Sequence, residues 1–289
     1  MIPVFIKNTK LFQYIKKGCE GIKPPGFEGL SVYDITKQYV LGIIDGAFSA
    51  RAGAISYSFF MAIFPFILFI LNLIPFIQFE GFQSEFNTLI DNLLPGDASD
   101  LIFGVFQDIA AKPRGGLLST SFFLSIIFAA NGVHSIFDGF QQSYHTVSRR
   151  NFFKQYVVAI GVAFLLVVLL FVFIGLIIYS EFIYEGIKNF RIFFYIFMIY
   201  LFIAVLYKFG TKSKKNVALF SIGALVTTIL ILINTYLFGI YVENFSKYNE
   251  LYGSIGAILI LMVYIWLNSN LLLLGYELNA TLRKLKTTL

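Results

Sequence analysis

The chain has 289 residues, 58% of them hydrophobic and only 13% charged, with a mean hydropathy of +0.78. A soluble domain carries about 25% charged residues, so this composition excludes an ordinary soluble enzyme and a disordered chain. The single cysteine, Cys19, excludes a disulfide scaffold and a cysteine-based metal site.

The first 54 residues hold no apolar core followed by a small-residue cleavage site, so no cleavable signal peptide is expected. Pro24-Pro25-Gly26 breaks the chain. Beyond it Val32, Ile35, Tyr39, Ile43, Ile44 and Phe48 recur at helical spacing, which predicts an interfacial helix over 31–49. About 20 apolar residues cross a bilayer as a helix. Six runs qualify: 55–77, 117–137, 156–180, 192–207, 217–242 and 251–276. The fourth is short, and Arg191 and Lys208 are expected to snorkel outward to complete it. The runs are too long and too uniformly apolar for barrel strands, which alternate.

Between the first two runs, over 78–116, Phe82, Phe86, Leu89 and Leu93 make one apolar stripe, and Ile102, Phe106 and Ile109 make another. Leu94-Pro95-Gly96-Asp97 separates them, which predicts two short amphipathic helices over the outer mouth. The expected fold is therefore all-α. It is a polytopic membrane protein with a six-transmembrane-helix bundle over 51–280 and an outer amphipathic helical pair. A cytoplasmic N-terminal segment, 1–50, carries the interfacial helix, and 281–289 forms a cytoplasmic tail.

Charge gives the orientation. Seventeen Lys and Arg fall in the N-terminal segment, the loops after the second and fourth runs, and the C-terminal tail. Only Lys112, Arg114, Lys188, Arg191 and Lys247 fall on the other side, together with ten acids. The basic side is expected in the cytoplasm, with both termini inside a bacterial inner membrane. Anionic inner-leaflet lipid accounts for the net charge of +6. No basic stripe interleaved with aromatics points to nucleic acid.

Polar residues within the apolar runs are costly and mark candidate sites. On the first helix, spacing puts Arg51, Ala54, Ser58, Ala62 and Pro65 on one face. This is a packing seam with a proline kink, or a cavity wall with Arg51 attracting an anion at its inner end. On the second, Asn131, His134 and Asp138 fall within about 60° of one another and form the densest polar cluster in the apolar part of the chain. Ser121, Ser125, Gly132 and Ser135 mark a separate small-residue face. The fifth helix aligns Gly223, Thr227 and Asn234. The sixth aligns Gly253, Ala257, Asn268, Gly275 and Asn279, with Glu277 on a different face. Asp45, Arg51, Asp138, Arg149, Arg150 and Glu277 should lie near the inner boundary, as structural ion pairs or as an anion-recognition network.

Three stretches together resemble the YihY/virulence factor BrkB family of six-span bacterial membrane proteins. They are Arg51-Ala52-Gly53-Ala54-Ile55-Ser56-Tyr57 with Phe64-Pro65, Gly116-Leu117-Leu118 through Asn131-Gly132 to Arg149-Arg150, and Leu251-Tyr252-Gly253-Ser254 through Trp266 to Leu274-Gly275-Tyr276-Glu277-Leu278-Asn279-Ala280. The last is the most specific. The chain departs at Asp138-Gly139, where the family often has Leu-Asn. The resemblance implies an inner-membrane protein linked to serum resistance and to export of envelope lipids or other solutes. The family once carried the label ribonuclease BN. A zinc-dependent nuclease gathers several His and acidic ligands, and this chain has only His134 and His145.

The leading functional expectation is a transporter or lipid translocase, with membrane lipids as partners and a lipid-like or anionic solute as substrate. It has no nucleotide-binding P-loop and so no direct use of ATP. No cofactor, metal or nucleic acid is expected, and a homo-oligomer stays open. A noncatalytic scaffold or envelope-assembly factor is the alternative. An intramembrane enzyme using Glu277, Asp138 and His134 comes last, because no nucleophile motif accompanies them.

Overall fold

The computed structural model describes residues 31, 47–73, 115–143, 151–183, 191–211, 219–244 and 254–288. The interfacial helix expected over 31–49 lies almost wholly outside the described residues, and so does the outer helix pair expected over 78–116. The described elements are six α-helices and no strand. They are α1 (Phe48–Leu73), α2 (Gly115–Gln141), α3 (Phe152–Ile183), α4 (Arg191–Gly210), α5 (Ile222–Asn244) and α6 (Ser254–Thr288). Each is long and apolar enough to cross a membrane. The chain is a multi-pass membrane protein.

Two habits of these helices fit a lipid solvent. Large apolar side chains point outward, among them Phe164, Phe171, Phe193 and Tyr236. Acyl chains replace water there, so this exposure costs nothing. The helices also satisfy their own hydroxyls and amides by bonding back one turn. Ser121 Oγ donates to the Leu117 carbonyl at 2.7 Å, Thr228 Oγ1 to Ala224 at 2.8 Å and Asn270 Nδ2 to Trp266 at 2.8 Å.

Helix α1 begins at Phe48, seven residues before its apolar run. The Ala47 carbonyl accepts the first helical bond, from the Arg51 N–H at 3.2 Å. Ala47 itself has φ 44°, a left-handed conformation that favours glycine. Pro65 sits inside α1 without ending it. It removes one helical donor, which membrane helices tolerate.

The chain divides into two compact units, and the boundaries fall inside α1 and α2. The smaller, Ser58–Gly132, pairs the second part of α1 with the first part of α2. The buried positions there are mostly small: Ser58, Ser121, Ser125, Ala130 and Gly132, with Asn72 the larger exception. Small residues let membrane helices approach closely, since burial from water does not drive their association. A Cβ on Gly132 would touch the Phe59 ring at 3.5 Å, and Phe69 tilts against Phe122 at 5.4 Å.

The larger unit takes the first turns of α1, the last turns of α2 and all of α3 to α6. Its core is built from Ala52, Ile55, Ile136, Phe137, Phe140, Tyr207, Leu273 and Tyr276. Phe140 stacks flat on Tyr276, with centroids 4.1 Å apart, and Tyr207 meets Tyr276 edge-on at 5.8 Å. The inward side of α1 here is Arg51, Ala52, Ile55 and Ser56, while Ala54 is exposed. The face expected to align Arg51 with Ala54 is therefore turned by part of a turn. The reason is that α1 packs with an isoleucine and backbone contacts as well as with its small residues.

Candidate functional site

All six helices contribute an end to the larger unit at one place. The start of α1 is tied to the end of α2 by Arg51, whose Nη1 donates to the Gly139 carbonyl at 2.8 Å. A Cβ on Gly139 would sit 3.1 Å from Leu273 of α6 and 3.2 Å from Ile55 of α1. The end of α2 is bonded to the start of α3 through Gln141 and Gln155. The end of α4 presses Gly210 against Phe137 and Phe140. The start of α5 is bonded to α6 through Gly223 and Asn279.

Arg51 is the chemical centre of this convergence. It is buried, with 5% of its surface exposed, and its guanidinium lies 4.5 Å from the centroid of the Phe48 ring. Only Nη1 has a hydrogen-bond acceptor among the described residues; Nε and Nη2 are buried without one. The Glu277 carboxylate of α6, itself fully buried, attracts it electrostatically. Thr281 lies one turn beyond Glu277, on the same side of α6. Its hydroxyl is also buried and makes no hydrogen bond among the described residues. A buried cation, its counter-ion and a spare hydroxyl thus occupy one end of the membrane domain.

Beside them α5 and α6 cross at their glycines. The Tyr207 hydroxyl of α4 donates to the Leu272 carbonyl at 2.7 Å and shares a 2.7 Å hydrogen bond with Thr227. Asn279 caps the start of α5. Its Oδ1 accepts from the Gly223 N–H at 2.8 Å, and its Nδ2 donates to Ser221 Oγ at 3.0 Å. Higher on the same pair of helices, Asn234 Nδ2 donates to Asn268 Oδ1 at 3.3 Å. Asn268 also donates to the Tyr264 carbonyl at 2.9 Å.

The expected faces of α5 and α6 therefore meet each other, and Glu277 lies off that seam, turned to Arg51. Asn131, His134 and Asp138 behave differently. Asn131 and Asp138 are exposed and His134 is half-buried. Asp138 accepts from Gln142 at 2.5 Å and attracts His134 electrostatically. The His134 ring packs against Phe152 and Tyr156 of α3. Ser58 is buried and Pro65 is half-buried in the smaller unit. Asp45, Arg149 and Arg150 lie outside the described residues. Tyr207 and Thr281 were not singled out from sequence. Thr281 carried a signal, its one-turn spacing from Glu277; Tyr207 carried none beyond its place at a helix end.

Comparison with known proteins agrees with this architecture. The Virulence factor BrkB family matches residues 43–288. YfkH of Bacillus subtilis (strain 168), named as ribonuclease-like, is 25% identical over 251 residues, covering 82% of this chain and 90% of that protein. A UPF0761 membrane protein of Psychrobacter sp. (strain PRwf-1) is 39% identical over 80 residues, covering 27% of this chain and 14% of that protein. No solved structure matches.

Proposed function

The chain belongs to the Virulence factor BrkB family, and from that premise we propose that it is a transport protein moving a lipid, or another amphiphile with an anionic headgroup, across the bacterial inner membrane without direct use of ATP. The observation that carries this reading is Arg51. Two of its nitrogens, Nε and Nη2, are buried without an acceptor among the described residues, and the Glu277 carboxylate attracts the guanidinium electrostatically. An arginine in low dielectric binds phosphate or carboxylate strongly, through paired charge-assisted hydrogen bonds. Glu277 holds the charge in balance when no substrate is present, and an arriving anionic headgroup competes for the same guanidinium. The excess of Lys and Arg on the side where these helix ends converge makes it the cytoplasmic side.

Catalysis is not part of this reading. The ribonuclease-like name belongs to the Bacillus relative, and this reading draws no activity from it.

The test is flux. Purified protein in liposomes should let a reductant bleach acyl-labelled phospholipid from the inner leaflet, and Arg51→Gln should slow this at least tenfold. Flux no greater than in empty vesicles sinks the reading.

A noncatalytic envelope-assembly scaffold is the second reading. It is favoured by the tight closure of this end, where Phe140, Tyr207 and Tyr276 interlock. Crosslinking in membranes should then trap one stoichiometric partner protein.

A further inference from the structure

On the last turns of α2, exposure and polarity coincide. From residue 131 to 142 the exposed positions are Asn131, Asp138 and Gln142, and the half-exposed ones are His134 and Ser135. The positions between them are buried. The five open positions recur every three or four residues, so they form one strip along the helix. Every one is polar. Helix α3 is the reverse: its outward positions, such as Val157, Phe164 and Phe171, are apolar, as acyl chains require.

The depth of the strip matters. From Asp138, expected near the inner boundary, the seven residues back to Asn131 rise about 10 Å, roughly a third of the ~30 Å hydrocarbon layer. An exposed amide at that depth is costly in lipid, and Asn131 is exposed. Asn131 makes no hydrogen bond among the described residues. The His134 ring is held beside the strip by Phe152 at 5.1 Å and Tyr156 at 5.6 Å. Behind the strip, Arg51 bonds the carbonyl of Gly139, the residue next to Asp138. A carboxylate therefore faces outward at the mouth of the strip, and a guanidinium lies behind it.

We propose that this strip is a track for the headgroup of a phospholipid that carries an ammonium beside its phosphate. The proposal rests on the transport reading and deepens it. The Asn131 amide offers donors to the phosphate and the Asp138 carboxylate pairs with the ammonium. The acyl chains stay in the bilayer while the headgroup moves along α2. A purely anionic headgroup meets Asp138 as a like charge, so the zwitterionic lipid is favoured.

Two measurements test it. In a Cys19→Ser background, a membrane-impermeant cationic thiol reagent should label Asn131→Cys in membranes but not Phe164→Cys on α3. In liposomes, acyl-labelled phosphatidylethanolamine should cross several-fold faster than phosphatidylglycerol. Asn131→Leu should slow both at least tenfold, Asn131→Gln should restore most of the rate, and Asp138→Asn should remove the advantage of phosphatidylethanolamine. If wild type moves lipid but Asn131→Leu matches it, or Asn131→Cys resists the reagent, the track is overturned and transport stands. The same holds if Asn131→Cys forms a disulfide dimer in membranes, which would put a second copy over the strip. If wild type moves no lipid, both readings fall.

Discussion

Gly223 and Gly275 meet backbone to backbone where α5 crosses α6. A Cβ on Gly275 would overlap Thr227 Oγ1 and lie 2.6 Å from the Tyr207 hydroxyl, and one on Gly223 would overlap the Gly275 carbonyl. Thr227 and Tyr207 are held by hydrogen bonds to each other and to Leu272, and the Gly275 carbonyl is backbone, so these neighbours cannot yield. Gly275→Ala and Gly223→Ala should therefore each destabilise the protein by about 1–3 kcal/mol, the usual range for overpacking. Gly161→Ala should not, since nothing lies within 4 Å of a Cβ there. Thermal unfolding in detergent, followed by size-exclusion chromatography, reads the difference. Equal melting for all three would mean that the crossing is looser than described.

Asn279 makes a separable contribution to the same seam. Its Oδ1 accepts the Gly223 N–H, a donor in the first turn of α5 that has no helical acceptor. Asn279→Ala should cost about 1 kcal/mol, as loss of a capping side chain does. Asn279→Asp keeps the acceptor and gives up the donation to Ser221, so it should retain most of that stability. An Asp variant as weak as the Ala variant would show that the Ser221 bond, not the cap, is what counts.

How much of this was legible in the sequence depends on which force is at work. The six spans stand out because lipid demands about 20 apolar residues in a row, and a linear pattern shows that directly. The seam of Gly223, Thr227 and Asn234 with Asn268, Gly275 and Asn279 was also legible. Helical phase sorts such residues onto one face, and small residues mark close approach. The phase of α1 was misjudged, because Ala54 turns out to be exposed while Ile55 is buried. Smallness alone does not say which small residue faces inward. The cluster of Asn131, His134 and Asp138 was legible as a cluster, but not its outward direction, which only the neighbouring helices determine. The start of α1 at Phe48 was hidden too: Arg51 dilutes the hydropathy there, and its acceptor Gly139 is 88 positions away in sequence.

Ala47 is a local strain with a simple remedy. Its φ of 44° is in the left-handed region, which costs a residue with a Cβ roughly 1–2 kcal/mol. Ala47→Gly should raise the melting temperature by a degree or more, provided the gain exceeds the added freedom of the unfolded chain. Ala47→Val, β-branched in the same conformation, should lower it. A stabilising valine would mean that α1 starts with another backbone geometry.

The pairing of Arg51 with Glu277 separates stability from function. Removing one member of a buried pair leaves the other charge uncompensated, at a typical cost of about 3–5 kcal/mol. Arg51→Leu and Glu277→Leu should each therefore destabilise strongly. The double variant leaves no buried charge and should recover much of that loss, so the two substitutions should be markedly non-additive. Glu277→Gln makes the parallel case with less change of shape. If the two charges serve only the fold, the recovered double variant should also recover transport. If Arg51 holds the substrate headgroup, the double variant should melt near the wild type and still move no lipid. Stability and flux measured on the same four proteins decide between these outcomes, and additive destabilisation would show that the two charges do not act on each other.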